Sequence, residues 1–443
     1  MNSLLYPATN PTAIEQLKLA SGTGIYVTDD KGKQYIEGMA GLWCSSLGYG
    51  NEELIETITK QLETLSYSHM FGGKTHQVGI DLADKLSEMV NIKGAKVFFG
   101  SSGSDANDSL VKLVSYYNAV RGKPQKRKIL ARHSAYHGVS LAAASLTGLP
   151  VFHTNFNLPL DALGVVRLDA PHYYRNGLEG ETQAQFCDRL IDQIEQVIAR
   201  EGADTIAAFI AEPINGAGGV IVPPEGYFKR VQALLKKHDI LFLDDEVICA
   251  FGRTGNDFGA TTFGFEPDTM TLAKGLSSAY FPISASIISG DIYDQVVKGS
   301  SKVGVFGHGY TYSGHPVGCA AALKTLEIYE RDQLFNVAAE RGAYLHQKLH
   351  DAFSANNNVG EIRGAGLLAG IHFVESAEKK AFFDNNDFVL KVQKQCEANG
   401  LILRALADNT LAICPPLIIT NEQIDQLVEI LALSLNQVAS SMN

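Results

Sequence analysis

The chain has 443 residues, 45% of them hydrophobic and 19% charged, with a formal net charge of -11. That length exceeds what one hydrophobic core serves, so more than one domain is expected in a soluble, well-packed protein. The negative balance excludes nucleic acid and anionic membranes as expected partners, and the densest basic run, "KPQKRK" (123–128), reads as a solvated turn. The opening stretch "MNSLLYPATNPTAIEQLK" has neither the basic start nor the apolar core of a signal peptide, and no apolar run is long enough to span a bilayer. Six cysteines (Cys44, Cys187, Cys249, Cys319, Cys396 and Cys414) occur without CxxC pairs, so reduced thiols and a cytoplasmic location are expected.

Residues 21–37 predict a small hairpin around "TDDKGKQ". From there to about residue 318 short apolar runs alternate with helical patterns, which predicts a mostly parallel sheet flanked by helices. The expected strands are "AKVFF" (95–99), "RKILAR" (127–132), "IAAFIA" (206–211), "DILFLD" (239–244), "DTMTLA" (268–273) and "ISASIIS" (283–289). Between them, "DRLIDQIEQVIAREG" puts Leu190, Ile191, Ile194 and Val197 on one helical face before Gly202, and "GYFKRVQALLKKH" predicts a second helix. Two helices are expected over 319–353, and the last ninety residues mix short strands with a closing helix at 421–438. The reading is an α/β fold with a large domain (55–318) and a smaller α+β domain built from residues 1–54 and 319–443.

Ligands of open parallel sheets bind outside the carboxyl ends of the strands. That rule selects Gly103 and Ser104, Glu212, Asp245 and Lys274, each just past an expected strand. In "FFGSSGSDANDS" a strand runs into a helix with Ser104 as expected cap, and the free N–H groups there suit a phosphate or simply start a helix. "FLDDEVICAFGRTG" (242–255) ends an apolar strand in three acids, which either form an exposed turn or meet something positive. A lysine at an apolar strand end has a lowered pKa and is nucleophilic toward an aldehyde. Together these are the binding parts for pyridoxal 5'-phosphate, with Asp245 on the ring nitrogen and the freed Lys274 moving a proton as transamination requires.

The ordered motifs "SSGSDAND", "AYHG", "AEPINGAGG", "LDDEVICAFGRTG", "TLAKGL" and "HGYTYSGHPVGCAAAL" resemble the class III aminotransferases, and most closely the ω-transaminases of amine–pyruvate type. "MAGLWCSSLGYG", "RGKPQKRKIL" and "CPPLIIT" support that subgroup. The resemblance implies fold type I of the pyridoxal-phosphate transferases: a large domain with a mostly parallel seven-stranded sheet, plus the smaller α+β domain. It implies that Lys274 carries the cofactor and Asp245 pairs with its ring nitrogen. Gly103 and Ser104 would hold the phosphate, joined by Thr311 from a second subunit. Tyr136 and Val247 would cover the two ring faces, while Glu212 and His137 complete the cofactor shell. Active sites at the interface of a homodimer, possible pairing into tetramers, and a small-molecule amine donor with a keto-acid or aldehyde acceptor follow from the same resemblance.

On the substrate side, Arg404 in "GLILRALADNT" is by itself a structural arginine between strands; the resemblance makes it a mobile partner for an acceptor's carboxylate. Trp43, the only tryptophan, is either a core residue or, by resemblance, an aromatic wall of the pocket. Met70 and Phe71 in "SHMFGG" match a loop entering the partner's site, and Ala217 matches a pocket residue. Ala8 and Met70 stand where relatives often carry aromatics, which softens the small pocket. Asp105 replaces the glutamate of the "SGSEAN" pattern. His133/His137 and His346/His350 have HxxxH spacing without a third ligand, so no metal is expected. "RGAGLLAG" (363–370) lacks the strand–turn–helix context of a dinucleotide loop. Transfer of an amino group from a primary amine or ω-amino acid to pyruvate is the expected reaction. A β-alanine, taurine or diamine transaminase, a decarboxylating transaminase, an aminomutase, a racemase or a non-catalytic pyridoxal-binding regulator are the alternatives.

Overall fold

The structure, a computed structural model, describes residues 3–12 and 16–442; residues 1 and 443, the outer limits of the expected small domain, lie outside them. Near the amino end three short strands, β1 (Leu19–Thr23), β2 (Tyr26–Asp29) and β3 (Gln34–Glu37), pair antiparallel. The expected hairpin is therefore three-stranded. Its second turn is held by Asp29, whose carboxylate accepts the N–H groups of Lys31 (2.9 Å) and Lys33 (2.8 Å).

The main sheet contains β4 (Lys96–Gly100), β5 (Lys128–Arg132), β6 (Val165–Leu168), β7 (Ile206–Ala211), β8 (Leu241–Asp245), β9 (Thr269–Leu272) and β10 (Ser284–Ile288), in the order β4-β10-β9-β8-β7-β5-β6. From β9 to β6 all pairs are parallel, and β10 runs antiparallel to both neighbours. The six expected strands are all present. β6, "VVRL", escaped because it is four residues long and includes Arg167, whose guanidinium donates to the carbonyls of Ser145, Leu146 and Thr147. β7 is buried along its whole length, as both faces of a central parallel strand must be.

The helix Gln183–Glu201 shows why the flanking layer forms. Thr182 and Gln185 make a reciprocal capping box, Phe186, Leu190, Ile194 and Val197 bury one face, and Gly202 with φ +83° ends it. Helix Tyr227–Lys237 packs against it and against β8. "KPQKRK" is not wholly solvated: Lys126 is buried, its ammonium donating to the carbonyls of Ala203 (3.1 Å) and His238 (3.3 Å).

Toward the carboxyl end, helices Pro316–Arg331 and Leu334–Phe353 precede β11 (Val359–Ala365), β12 (Leu368–Phe373), β13 (Leu401–Ile402), β14 (Arg404–Ala405) and β15 (Thr410–Ile413). "RGAGLLAG" is the turn of the β11–β12 hairpin. β12, β15 and β14 complete that antiparallel sheet, while β13 joins β3 in parallel, so both chain ends share one sheet. Helix Asn421–Met442 closes the chain. All six cysteines are free thiols, five of them buried. Among the described residues no helix is long and apolar enough to cross a membrane, and no group of His, Cys, Asp and Glu could hold a metal ion.

Candidate active site

The three acids at the end of β8 are all buried, so the exposed-turn reading of this run does not hold. Strand alternation separates them. Asp245 faces helix Gly103–Val120: its Oδ2 accepts from Asn107 Nδ2 (2.8 Å) and His137 Nδ1 (2.7 Å), and its Oδ1 from the N–H of Val247 (3.2 Å). Asp244 and Glu246 point to the other side, where Glu246 Oε1 accepts the N–H of Ala260 (2.7 Å). Burial raises the pKa of both, and the Glu246 charge raises Asp244 further. Asp245 is thus the one acid of the three that lines the cavity.

Glu212 follows β7 and is buried; its two oxygens accept the N–H groups of Tyr136 (2.9 Å) and Gly216 (2.9 Å). Burial, with the nearby Asp245 charge, pushes its carboxyl up to about 7. Lys274 comes two residues after β9, in the left-handed region at φ +46°. Burial lowers the pKa of its amine, opposed by the charges of Cys44, Asp245 and Glu212. An amine of reduced basicity near two carboxylates is suited to act as a nucleophile and to carry a proton.

The cap of helix Gly103–Val120 is Ser102, not Ser104. Ser102 is extended (φ -152°, ψ 159°) and its Oγ accepts the Asp105 N–H, while Asp105 accepts the Ser102 N–H in return. Ser104 already lies inside the first turn, and its Oγ accepts the N–H of Val139 (3.1 Å). Gly103 and Ser104 therefore occupy the first two helical positions, where N–H groups have no intrahelical acceptor. A side chain at 103 would stand 2.9 Å from Val247 Cγ2, so glycine is what lets that valine close on the turn.

Gly103, Ser104, Tyr136, His137, Glu212, Asp245, Val247 and Lys274 all line one cavity of about 340 Å³. Trp43 adjoins it: its ring centre lies 5.5 Å from Lys274 Nζ and 5.5 Å from the Arg404 guanidinium carbon. Ala217 is half-buried in the segment after Glu212 and does not line the cavity. Met70, Phe71 and Thr311 are grouped elsewhere. Tyr67 donates to the Thr311 carbonyl (2.8 Å), Met70 packs against Gly79 and Gly314, and Phe71 lies against Gly309. Sequence reasoning missed Asn107 and Cys44. Cys44 lines the cavity, and Asn107 donates to Asp245; a buried asparagine in the apolar stripe of a helix was the signal for the latter.

The donor set suits a phosphorylated pyridine aldehyde: free helix N–H groups, a carboxylate held by three donors, an amine of lowered basicity, and an aromatic and a valine as walls. His137 Nε2, buried without a partner, leaves polar capacity at the same place. The class III aminotransferase family model matches residues 8–435. The chain is 45% identical over 431 residues to gamma aminobutyrate transaminase 1, mitochondrial, of Solanum lycopersicum, covering 96% of this chain and 82% of that one. It is 41% identical over 431 residues to the diaminobutyrate–2-oxoglutarate transaminase of Halomonas elongata, covering 96% and 91%. An omega transaminase from Pseudomonas jessenii, solved in complex with PMP, aligns with TM-score 0.96 at 44% identity over 99% of this chain and 96% of that one. The chain belongs to the class III aminotransferases, and its cofactor is pyridoxal 5'-phosphate.

Proposed function

We propose that this enzyme transfers an amino group from a primary amine or an ω-amino acid to pyruvate, which leaves as alanine. The observation that carries the reading is Trp43 flanked at 5.5 Å by both Lys274 and Arg404. An apolar amine donor finds an aromatic wall there, and an acceptor's carboxylate finds a guanidinium fork beside the same wall. Relatives named for gamma-aminobutyrate and diaminobutyrate favour donors whose amine is remote from a carboxylate, which Arg404 also accommodates.

The bound cofactor supplies an aldehyde for the amino group and a protonated ring that accepts the electron pair of the broken C–H bond. Lys274 Nζ would hold the cofactor through its aldehyde and, once released by the substrate amine, would carry the proton taken from the substrate carbon to the carbon of that former aldehyde. Asp245, fixed by Asn107 and His137, keeps the ring nitrogen protonated. The N–H groups of Gly103 and Ser104 bind the phosphate, Tyr136 and Val247 cover the ring, and Glu212 pins the Tyr136 and Gly216 backbone.

Thr311, Met70 and Phe71 serve the second subunit of a homodimer. Their grouping away from this chain's own cavity supports this, as do the exposed rings of Tyr67, Phe71 and Tyr312 around Thr311. Six free thiols support a reducing, cytoplasmic setting.

The test is the visible absorption of the holoenzyme during addition of 1-phenylethylamine and then pyruvate. Bleaching by the amine and recovery with pyruvate support the reading; recovery only with 2-oxoglutarate overturns the acceptor. In Arg404→Ala the pyruvate half-reaction should slow about 30- to 100-fold, the loss of a bidentate charged pair, while the amine half-reaction stays near wild type.

A further inference from the structure

The helix whose first turn forms the anion cradle has a second set of partners one to two turns further on. Lys112 Nζ donates to His308 Nδ1 (2.8 Å), and His308 Nε2 donates to Ser109 Oγ (2.9 Å). The imidazole stacks on Phe98 of β4 with centroids 4.9 Å apart. Two residues along, Tyr310 donates to the carbonyl of Asp105 (3.1 Å), and Thr311 is next in the chain. His308 is thus bound to the same helix that carries Gly103 and Ser104, and it stands three residues before Thr311.

An ammonium only donates, so His308 offers a lone pair at Nδ1 and keeps its proton on Nε2; the ring in this arrangement is neutral. Phe98 faces it from β4, Phe306 and Tyr310 from its own segment, and Ser109 and Lys112 from the helix, so Lys112 is the one charged group among these neighbours. Burial and then the Lys112 charge hold the imidazole pKa below its ordinary value of 6.5.

We propose that His308 is a positioning residue that clamps the Thr311 segment to the helix Gly103–Val120, so that one helix carries the cradle of its own cofactor and the anchor of the residue serving the partner's cofactor. This rests on the reading that Thr311 reaches across the dimer to a phosphate. A rigid link between a subunit's own cradle and the segment it lends out ties cofactor retention at the two sites of the dimer together.

The experiment measures release of pyridoxal phosphate from diluted holoenzyme by loss of its visible absorption, in wild type, Thr311→Ala, His308→Gln, Lys112→Gln and the Thr311→Ala/His308→Gln double variant. Losing the clamp should speed release about tenfold in His308→Gln. The double variant should release no faster than the quicker single variant, because both changes remove one contact. In wild type, release should accelerate as pH falls below 6.5 and His308 takes a second proton; Lys112→Gln should move that onset to higher pH, and His308→Gln should abolish it. Wild-type release by His308→Gln alongside faster release by Thr311→Ala overturns the clamp, as does multiplication of the two effects in the double variant. Wild-type release by Thr311→Ala sinks the two-subunit reading and the clamp with it. If His308→Gln does not fold, the exposed Lys112→Gln decides: an unchanged pH onset overturns the proposal.

Discussion

Asn107→Ala removes three side-chain hydrogen bonds at one buried point. Asn107 Nδ2 donates to Asp245 Oδ2 and to the His137 carbonyl, and its Oδ1 accepts from Thr271 Oγ1, each at 2.8 Å. A bond to a charged carboxylate contributes about 1.5–3 kcal/mol and a neutral one about 0.5–1.5 kcal/mol, so the loss should be about 4 kcal/mol, less if a water enters the space. The assay is urea unfolding of the apoprotein at pH 7, read as the shift in midpoint at constant slope. Asn107→Leu keeps the volume and removes the bonds, so it should lose as much. If the leucine variant instead stays within about 1 kcal/mol of wild type, the cavity and not the hydrogen bonds was responsible, and Asp245 does not owe its placement to Asn107.

Glu246→Gln keeps an acceptor for the Ala260 N–H and removes a carboxyl whose pKa burial raises from 4.5 to about 7. A raised folded pKa favours the protonated form, so this stabilisation is fully present below pH 4.5 and lost as pH rises through 7; the wild-type advantage over Glu246→Gln in thermal unfolding should shrink over that interval, and a flat difference would contradict it. Gly138→Ala, at φ +128°, puts a methyl 2.8 Å from Ser104 Cα; cofactor affinity should fall at least about tenfold by equilibrium titration, and an unchanged value would remove Ser104 from the cradle.

How legible the site was depended on where each residue sits in the chain. Asp245, Glu212 and Lys274, which line one cavity, were picked out because each follows an apolar run, and a strand end is a local property of sequence. The cap was misplaced by two residues because Ser101, Ser102 and Ser104 are alike in composition; only the extended backbone at 102 and the returning bond from Asp105 distinguish them. The contacts of Lys126 were hidden because its partners are carbonyls 77 and 112 residues away. Asp245 was singled out as the first residue past the expected strand, but the burial of Asp244 and Glu246 on the opposite face was not foreseen, because the run also read as an exposed acidic turn. Thr311 and Met70 were assigned only through motif order, because nothing local would mark a residue proposed to serve another subunit.

The parallel pairing of β13 with β3 bears on the order in which the protein is made. Every strand of the seven-stranded sheet has left the ribosome once residue 288 is out, and with them Lys274, Asp245 and the turn at Gly103. β3, already paired with β2 on one side, still waits for its other neighbour, which is synthesised more than a hundred residues later. Trp43 and Arg404 each follow closely after one of these two strands. Nascent chains can therefore assemble the seven-stranded sheet before Trp43 and Arg404 are brought together. A chain cut short before residue 401 keeps all seven strands of the main sheet but lacks β13, one of the two partners of β3, and Arg404 itself.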